Sequence, residues 1–320
     1  MRSQGKIVIA IGGNSLIKDN GHSTSFSEQL QTISETSLNI AKIVKQGYRV
    51  VITHGYGPQV GDILIRSYLT RQHLPDIPLD IANAITQSEI GYMIQQSIKN
   101  ELLKQKCDAQ VVTIVTQVVV DKKDKAFKYY TKPVGPFYPK KEAVILEKER
   151  KWTMREDAGR GFRRLVSSPE PKEIVEIETI KSLLQSGAIV IAGGGGGIPV
   201  FRENNRRLVP TAAVIDKDLT SAILANFVDA DALLISTSID RVYLNFNKSN
   251  QKSLYKISLT QAKEYFQQGH FAQGSMGPKI AAAIKFLQVK NRRRQVIITN
   301  PNNLVKALTD KKIGTRITNE

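Results

Sequence analysis

Runs of Val, Ile and Ala at 6–11, 49–53, 110–120, 188–192, 232–236 and 295–299 are too continuously apolar to alternate between core and solvent. Each therefore reads as a strand buried on both faces. Between most of them lie stretches with helical period, at 27–45, 84–104, 172–185 and 279–289. Strand, helix, strand repeated along one chain predicts an α/β protein whose mainly parallel sheet is covered on both sides. Ligands in such folds sit outside the carboxyl ends of the strands. Glycines gather at those places: Gly12-Gly13 after the first strand, Gly55-Tyr56-Gly57 after the second, and Gly193 to Gly197 after a later one. The segment 121–166 breaks the rhythm. It is dense in Lys, Asp, Tyr and Pro, shows no clear βα unit, and is expected to be an insertion or lid.

Composition narrows the partners. A chain of 320 residues, 41% of them hydrophobic, can bury one large core or two modest ones, which excludes a largely disordered protein. With 46 Lys and Arg against 29 Asp and Glu, the net charge of +17 leaves acidic substrates, phosphates, nucleic acid and anionic lipid open. Aromatic residues make up only 7% and no RNP-like motif occurs, so nucleic acid is not the expected partner. The strongest charge run, Arg292-Arg293-Arg294, is expected on a solvated face. Cys107, the single cysteine, excludes an internal disulfide and a site built on several thiolates, and it fits a reducing cytoplasm. No apolar run approaches the ~20 residues that span a bilayer. The opening MRSQGKIVIAIGGN interrupts its apolar stretch with Gly-Gly-Asn, so neither a signal peptide nor a membrane span is expected.

A site that handles phosphate must hold several negative oxygens close together. It needs backbone N–H groups unobstructed by a Cβ, and lysines or a metal to offset the charge. Both GxxxxGK[ST] and GxGxxG are absent, which argues against a P-loop NTPase and a standard dinucleotide fold. IAIGGNSL at 9–16 instead offers the N–H groups of Gly12 and Gly13 and the amide of Asn14 at a strand end. THGYGPQVG at 53–61 offers Gly55 and Gly57 as main-chain donors to an acceptor, with Pro58 fixing the loop exit. His54 reads as a hydrogen-bonded structural group, because an acceptor that is already an anion needs no general base. The five glycines of AGGGGGIPV at 192–200 cost much backbone entropy, so close approach of a ligand is their expected reason. Asp216, Lys217 and Asp218 open a helical stretch in which an Asp can orient the lysine. Lys279 falls in the first turn of an Ala-rich helix, where the helix dipole disfavours a cation, so an anion is expected opposite it.

Taken in order, these pieces resemble the carbamate kinases of the amino acid kinase family, together with AITQSEIGY at 84–92, TKPVGPFY at 131–138 and REDAGRGFRRLVSSPEPKEIVE at 155–176. The resemblance runs from the first strand almost to GTRI at 314–317. It implies a three-layer αβα sandwich with an open, mainly parallel sheet and a protruding subdomain at about 121–166. It also implies a phosphoryl-acceptor lobe over 1–210, a nucleotide lobe over 211–320, and a homodimer. The implied reaction is reversible in-line phosphoryl transfer between ATP and carbamate, giving ADP and carbamoyl phosphate without a covalent enzyme intermediate. It would run toward ATP in arginine fermentation, with Mg²⁺ accompanying the nucleotide and no protein metal ligand named. Carried onto this chain, Asn14 and Lys279 would contact the transferring group, Lys217 would neutralise it from the other side, and Asp218 would orient both lysines. Gly12, Gly13, Gly55 and Gly57 would supply main-chain donors, and Lys132 would reach from the lid toward the carbamate. Gly274, Ser275, Met276 and Gly277 would join Lys217 and Lys279 in holding the nucleotide. Two positions depart from the pattern: Tyr56 stands where the family has Asn, and Ser88 replaces an expected Gly, adding a hydroxyl expected to tighten the neighbouring cleft.

Overall fold

The structure, a computed structural model, describes residues 4–13, 16, 25–157, 159–272, 274–289 and 293–319. The chain begins with β1 (Gly5–Ile11), α1 (Phe26–Lys45), β2 (Tyr48–His54), α2 (Gly57–Thr70), α3 (Leu79–Lys104), β3 (Val111–Thr113) and β4 (Gln117–Val120). The inserted segment holds β5 (Lys132–Tyr138), α4 (Lys140–Arg150), β6 (Thr153–Glu156) and β7 (Phe162–Val166). Next come β8 (Pro171–Ile174), α5 (Ile177–Gln185), β9 (Ile189–Ile191), β10 (Ile198–Arg202), β11 (Leu208–Pro210), α6 (Lys217–Phe227) and β12 (Ala232–Ser236). The rest is β13 (Val242–Leu244), β14 (Lys252–Leu254), β15 (Lys256–Ser258), α7 (Leu259–Gln267), α8 (Met276–Leu287), β16 (Gln295–Thr299), α9 (Leu304–Thr309) and β17 (Thr315–Thr318).

One eight-stranded sheet, in the order β15-β17-β16-β12-β1-β2-β9-β3, runs through the molecule. Every neighbouring pair is parallel except β16 with β17. The strand pleat sorts alternate residues into two cores. Val8, Val51, Val190, Leu233 and Val296 pack with α5, α6, α7 and α8 on one face. Ile7, Ile9, Ile52, Leu234 and Ile297 pack with α1, α2, α3 and α9 on the other. The expected α/β sandwich with an open, mainly parallel sheet is thus what forms.

Three expectations need correction. The apolar run 110–120 makes two strands in different sheets, because the chain turns out of the main sheet after Ile114. The Thr116 N–H donates to Gln87 Oε1 at 2.6 Å, and β4 pairs with β10 in a four-stranded sheet. The stretch 172–185 is helical only from Ile177. The Glu176 carboxylate accepts from the Gln117 N–H and from Gln117 Nε2, at 2.8 and 2.9 Å, which holds the preceding residues against β4 as β8. The inserted segment, in which no clear βα unit was expected, does carry one: β5, α4 and β6 follow in sequence, and the strands form the sheet β5-β7-β6 with α4 on it. It leans on α2 so closely that a Cβ on Gly61 would lie 2.2 Å from Gly135 Cα.

Among its described residues, the arginine run is the solvated face expected of it only at Arg293, which is exposed. Arg294 is buried against the Phe286 ring, with its guanidinium donating to Asn226 Oδ1 at 2.7 Å and Asp229 Oδ1 at 2.8 Å. Arg292 lies outside the described residues. No helix among the described residues is long and apolar enough to cross a membrane.

Candidate active site

The carboxyl ends of β1 and β2 bring the first two glycine loops into backbone contact. The Gly55 N–H donates to Ile11 O at 3.0 Å, and a Cβ on Gly55 would lie 2.8 Å from Gly13 N. A Cβ on Gly13 or Gly57 would face open space, and Gly12 adjoins Gly55 across the contact. Asn14 lies outside the described residues.

α6 starts beside these loops. Asp216 caps it, its Oδ1 accepting the Asp218 N–H at 2.9 Å, which satisfies one of the unpaired donors of a helix start. Asp218 then takes one ammonium on each carboxylate oxygen: Lys217 Nζ at 2.5 Å from Oδ1 and Lys279 Nζ at 3.1 Å from Oδ2. The three side chains are 5% (Asp218), 11% (Lys217) and 14% (Lys279) exposed. Asp218 is therefore the anion facing the first turn of α8, across from Lys279. Burial by itself would raise the Asp218 pKa, but the two ammonium groups more than offset it and hold the carboxyl well below the usual carboxylate range. Burial pushes the Lys217 ammonium down, Asp218 opposes that, and Lys279 adds to it. The arrangement is one carboxylate clamping two cations that would otherwise repel each other.

Lys132, on the first residue of β5, donates to Asp216 Oδ2 at 2.8 Å, so the inserted segment reaches the same helix start. Across the site, α8 begins at Ser275, whose side chain makes no capping bond and whose N–H donates to Ala272 O at 3.2 Å. The Gly277 N–H is also taken by Ala272 O, at 2.8 Å. Gly274, Ser275, Met276 and Gly277 all belong to this turn.

The glycine run has a packing reason beyond the one expected of it. All five residues are buried, and protein atoms already occupy the space their Cβ atoms would need. Such a carbon on Gly194 would meet His54 Nε2 at 2.3 Å, on Gly196 the Ile215 carbonyl oxygen at 2.4 Å, and on Gly197 Val118 Cγ2 at 2.2 Å. Close packing of the β2 end, β4 and the approach to α6 demands glycine here. His54 is buried and its Nδ1–H donates to Gly55 O at 3.2 Å, while Nε2 has no partner. Burial pushes its pKa down to about 4, with nearby Lys217 adding to the effect, so the ring is neutral near pH 7.

Tyr56 turns inward. It is 2% exposed, its ring lies on Gly195, and its hydroxyl is buried without a partner. The loop thus offers a ligand its main chain and not this side chain. Ser88 is exposed on α3 and donates to Ala84 O at 3.0 Å, so it tightens no cleft. Sequence reasoning missed Asp216 as the partner of Lys132, and it missed the contact of Thr53 with Ser221. Only the crossing of β2 with α6 brings that second pair together.

Glycine loops at parallel strand ends, beside two ammonium groups on one carboxylate, mark the candidate site of this α/β protein. The chain belongs to the amino acid kinase family, whose profile matches residues 5–300. It is 47% identical to the carbamate kinase of Pyrococcus horikoshii over 315 residues, covering 98% of this chain and 99% of that protein. It is 48% identical to the carbamate kinase of Clostridium perfringens, again over 98% and 99% of the two chains. The structure of the Giardia lamblia carbamate kinase bound to AMP-PNP superposes with a TM-score of 0.91 at 41% identity, covering 99% of each chain.

Proposed function

We propose that this protein catalyses reversible phosphoryl transfer between ATP and carbamate, giving ADP and carbamoyl phosphate. The observation that carries the reading is the convergence of Lys217 and Lys279 on Asp218 beside the glycines Gly13 and Gly57. Both substrates are anions, so repulsion and misalignment are the barriers that fixed cations and N–H groups lower. In this reading the PO₃ unit passes in line between the acceptor and the ADP oxygen. Lys217 and Lys279 flank it with Asn14, and Asp218 keeps both ammonium groups placed. Gly12, Gly13, Gly55 and Gly57 hold the acceptor, Lys132 exchanges Asp216 for the carbamate or its phosphate, and the turn 274–277 receives the nucleotide. No covalent intermediate is required. The division into an acceptor lobe over 1–210 and a nucleotide lobe over 211–320 follows the same assignment.

Mg²⁺ enters as part of the nucleotide substrate, held chiefly by phosphate oxygens and water. Among the described residues no group of three or more His, Cys, Asp or Glu is placed to bind a metal, and both Asp218 oxygens are engaged by ammonium groups. A homodimer is supported by an apolar stripe on α3, where Ile81, Ile85, Tyr92 and Leu103 are exposed at helical spacing, with exposed Leu30 of α1 beside Leu103. A cytoplasmic setting and use toward ATP in arginine fermentation complete the reading. The test is a coupled assay for ATP from ADP, Mg²⁺ and carbamoyl phosphate. Turnover supports the proposal, and no ATP above a protein-free blank sinks it.

A further inference from the structure

We infer that Thr53 and Ser221 are positioning residues that fix the separation between the acceptor loop and the cationic start of α6. Thr53 immediately precedes His54 and Gly55 at the end of β2, and Ser221 lies one turn into α6. Both are fully buried, and their hydroxyl oxygens are 2.6 Å apart across 168 positions of sequence. Ser221 Oγ is also 2.6 Å from the main-chain oxygen of Lys217.

Counting protons sets the direction of these bonds. A carbonyl oxygen can only accept, so the one hydroxyl proton of Ser221 goes to Lys217 O, and the proton between the two hydroxyls comes from Thr53. The result is a two-step chain, Thr53 to Ser221 to the main chain of Lys217. A serine that bonds back one turn is ordinary in helices and by itself says nothing about function. The bond from Thr53 is different, because it ties the strand that carries the acceptor loop to the helix that carries the lysine. Gly193, at a φ of +62°, lies against both elements: a Cβ there would be 3.2 Å from Thr220 Cγ2 and 3.8 Å from Thr53 Cγ2. On the other side of the same turn, the Thr220 hydroxyl donates to Gly196 O at 2.8 Å.

This role rests on the phosphoryl-transfer reading, in which rate depends on how closely acceptor and donor are aligned. Misplacement by about 1 Å costs up to roughly a hundredfold in such reactions. The hydroxyl chain touches neither substrate, and acts through the loop at one end and Lys217 at the other.

The test compares Thr53→Val, which keeps the shape and loses the donor, with Thr53→Ser, which keeps the donor, and with Ser221→Ala and the Thr53→Val/Ser221→Ala pair. Each is assayed for ATP formation from ADP and carbamoyl phosphate, with melting temperature measured alongside. Thr53→Val is expected to lower kcat about tenfold or more while KM for ADP stays within twofold, and Thr53→Ser to remain within threefold of the parent. Because the bonds form one chain, the double variant should be no slower than the slower single one. A Thr53→Val kcat within twofold of an active parent overturns the inference, and so do a Thr53→Ser loss as large as that of Thr53→Val or multiplying losses in the double variant. If Thr53→Val does not fold, Ser221→Ala decides, a kcat within twofold of the parent overturning the role. An inactive parent overturns the phosphoryl-transfer reading itself.

Discussion

The ring of Tyr56 fills the space that a side chain on Gly195 would need: a Cβ there would lie 1.6 Å from Tyr56 Cε1, at a φ of +61° that already disfavours any residue but glycine. Gly195→Ala is expected to lower stability by about 3 kcal/mol or more, combining overpacking with left-handed backbone. Denaturant midpoints for Gly195→Ala, Tyr56→Ala and the pair check this, since room made by the smaller Tyr56 replacement should couple the two changes favourably. Tyr56→Phe removes only a buried hydroxyl that has no partner, so its midpoint should hold or rise. A clear drop in Tyr56→Phe would mean that the hydroxyl is bonded after all.

Lys217→Ala and Lys279→Ala are each expected to slow ATP formation by roughly 10²–10³ while the fold persists, the usual cost of losing one charged donor at a transferring group. Steady-state rates with saturating ADP and carbamoyl phosphate, paired with far-ultraviolet circular dichroism, separate the two effects. Near-normal turnover in either variant would falsify the assignment of that lysine.

Acid should weaken the fold in two stages. The His54 imidazole titrates near 6.5 in the unfolded chain and about 4 in the folded one, so between those values the unfolded state binds more protons and stability climbs with pH. The full contribution, about 3 kcal/mol, is present above pH 6.5 and lost as pH falls toward 4. Asp218, whose folded pKa is depressed, adds stability above about pH 4 that disappears on further acidification. Urea midpoints from pH 4 to 8 should therefore rise steeply in the parent and less in His54→Asn, which keeps a donor for Gly55 O without a titrating ring. Parallel curves for the two proteins would contradict a buried neutral imidazole.

If the apolar stripe on α3 is covered by a second copy of the chain, Ile85→Asp and Tyr92→Asp should halve the mass seen by light scattering without unfolding the protomer. An unchanged mass would place any dimer contact elsewhere.

Much of the fold was legible because parallel strands buried on both faces leave continuous apolar runs, and the β1, β2, β12 and β16 segments carry that mark. The division of 110–120 was not, since nothing in an apolar run says which sheet will take it; the deciding bond comes from Gln87, far away in sequence. Lys279 could be picked out because a cation in the first turn of a helix is unfavourable without an anion, and Asp218 supplies one; Lys217 stood out as the middle of an Asp-Lys-Asp triplet. The packing role of the glycine run was not legible. Gly194 and Gly195 are required by His54 and Tyr56, and sequence gives no sign that these side chains fold back over them. Arg294 likewise looks like surface charge until Asn226 and Asp229 are seen to receive it.

The ladder joining β1 to β12, from Ile7 opposite Ala232 to Ala10 opposite Ile235, stitches the amino-terminal strands to the carboxyl-terminal ones at the middle of the sheet. Swinging one half away from the other would tear these bonds, so any motion that admits a substrate is expected in the 121–166 hood and not in this sheet. Amide hydrogen exchange should accordingly show β1 and β12 opening together, and far more slowly than the hood.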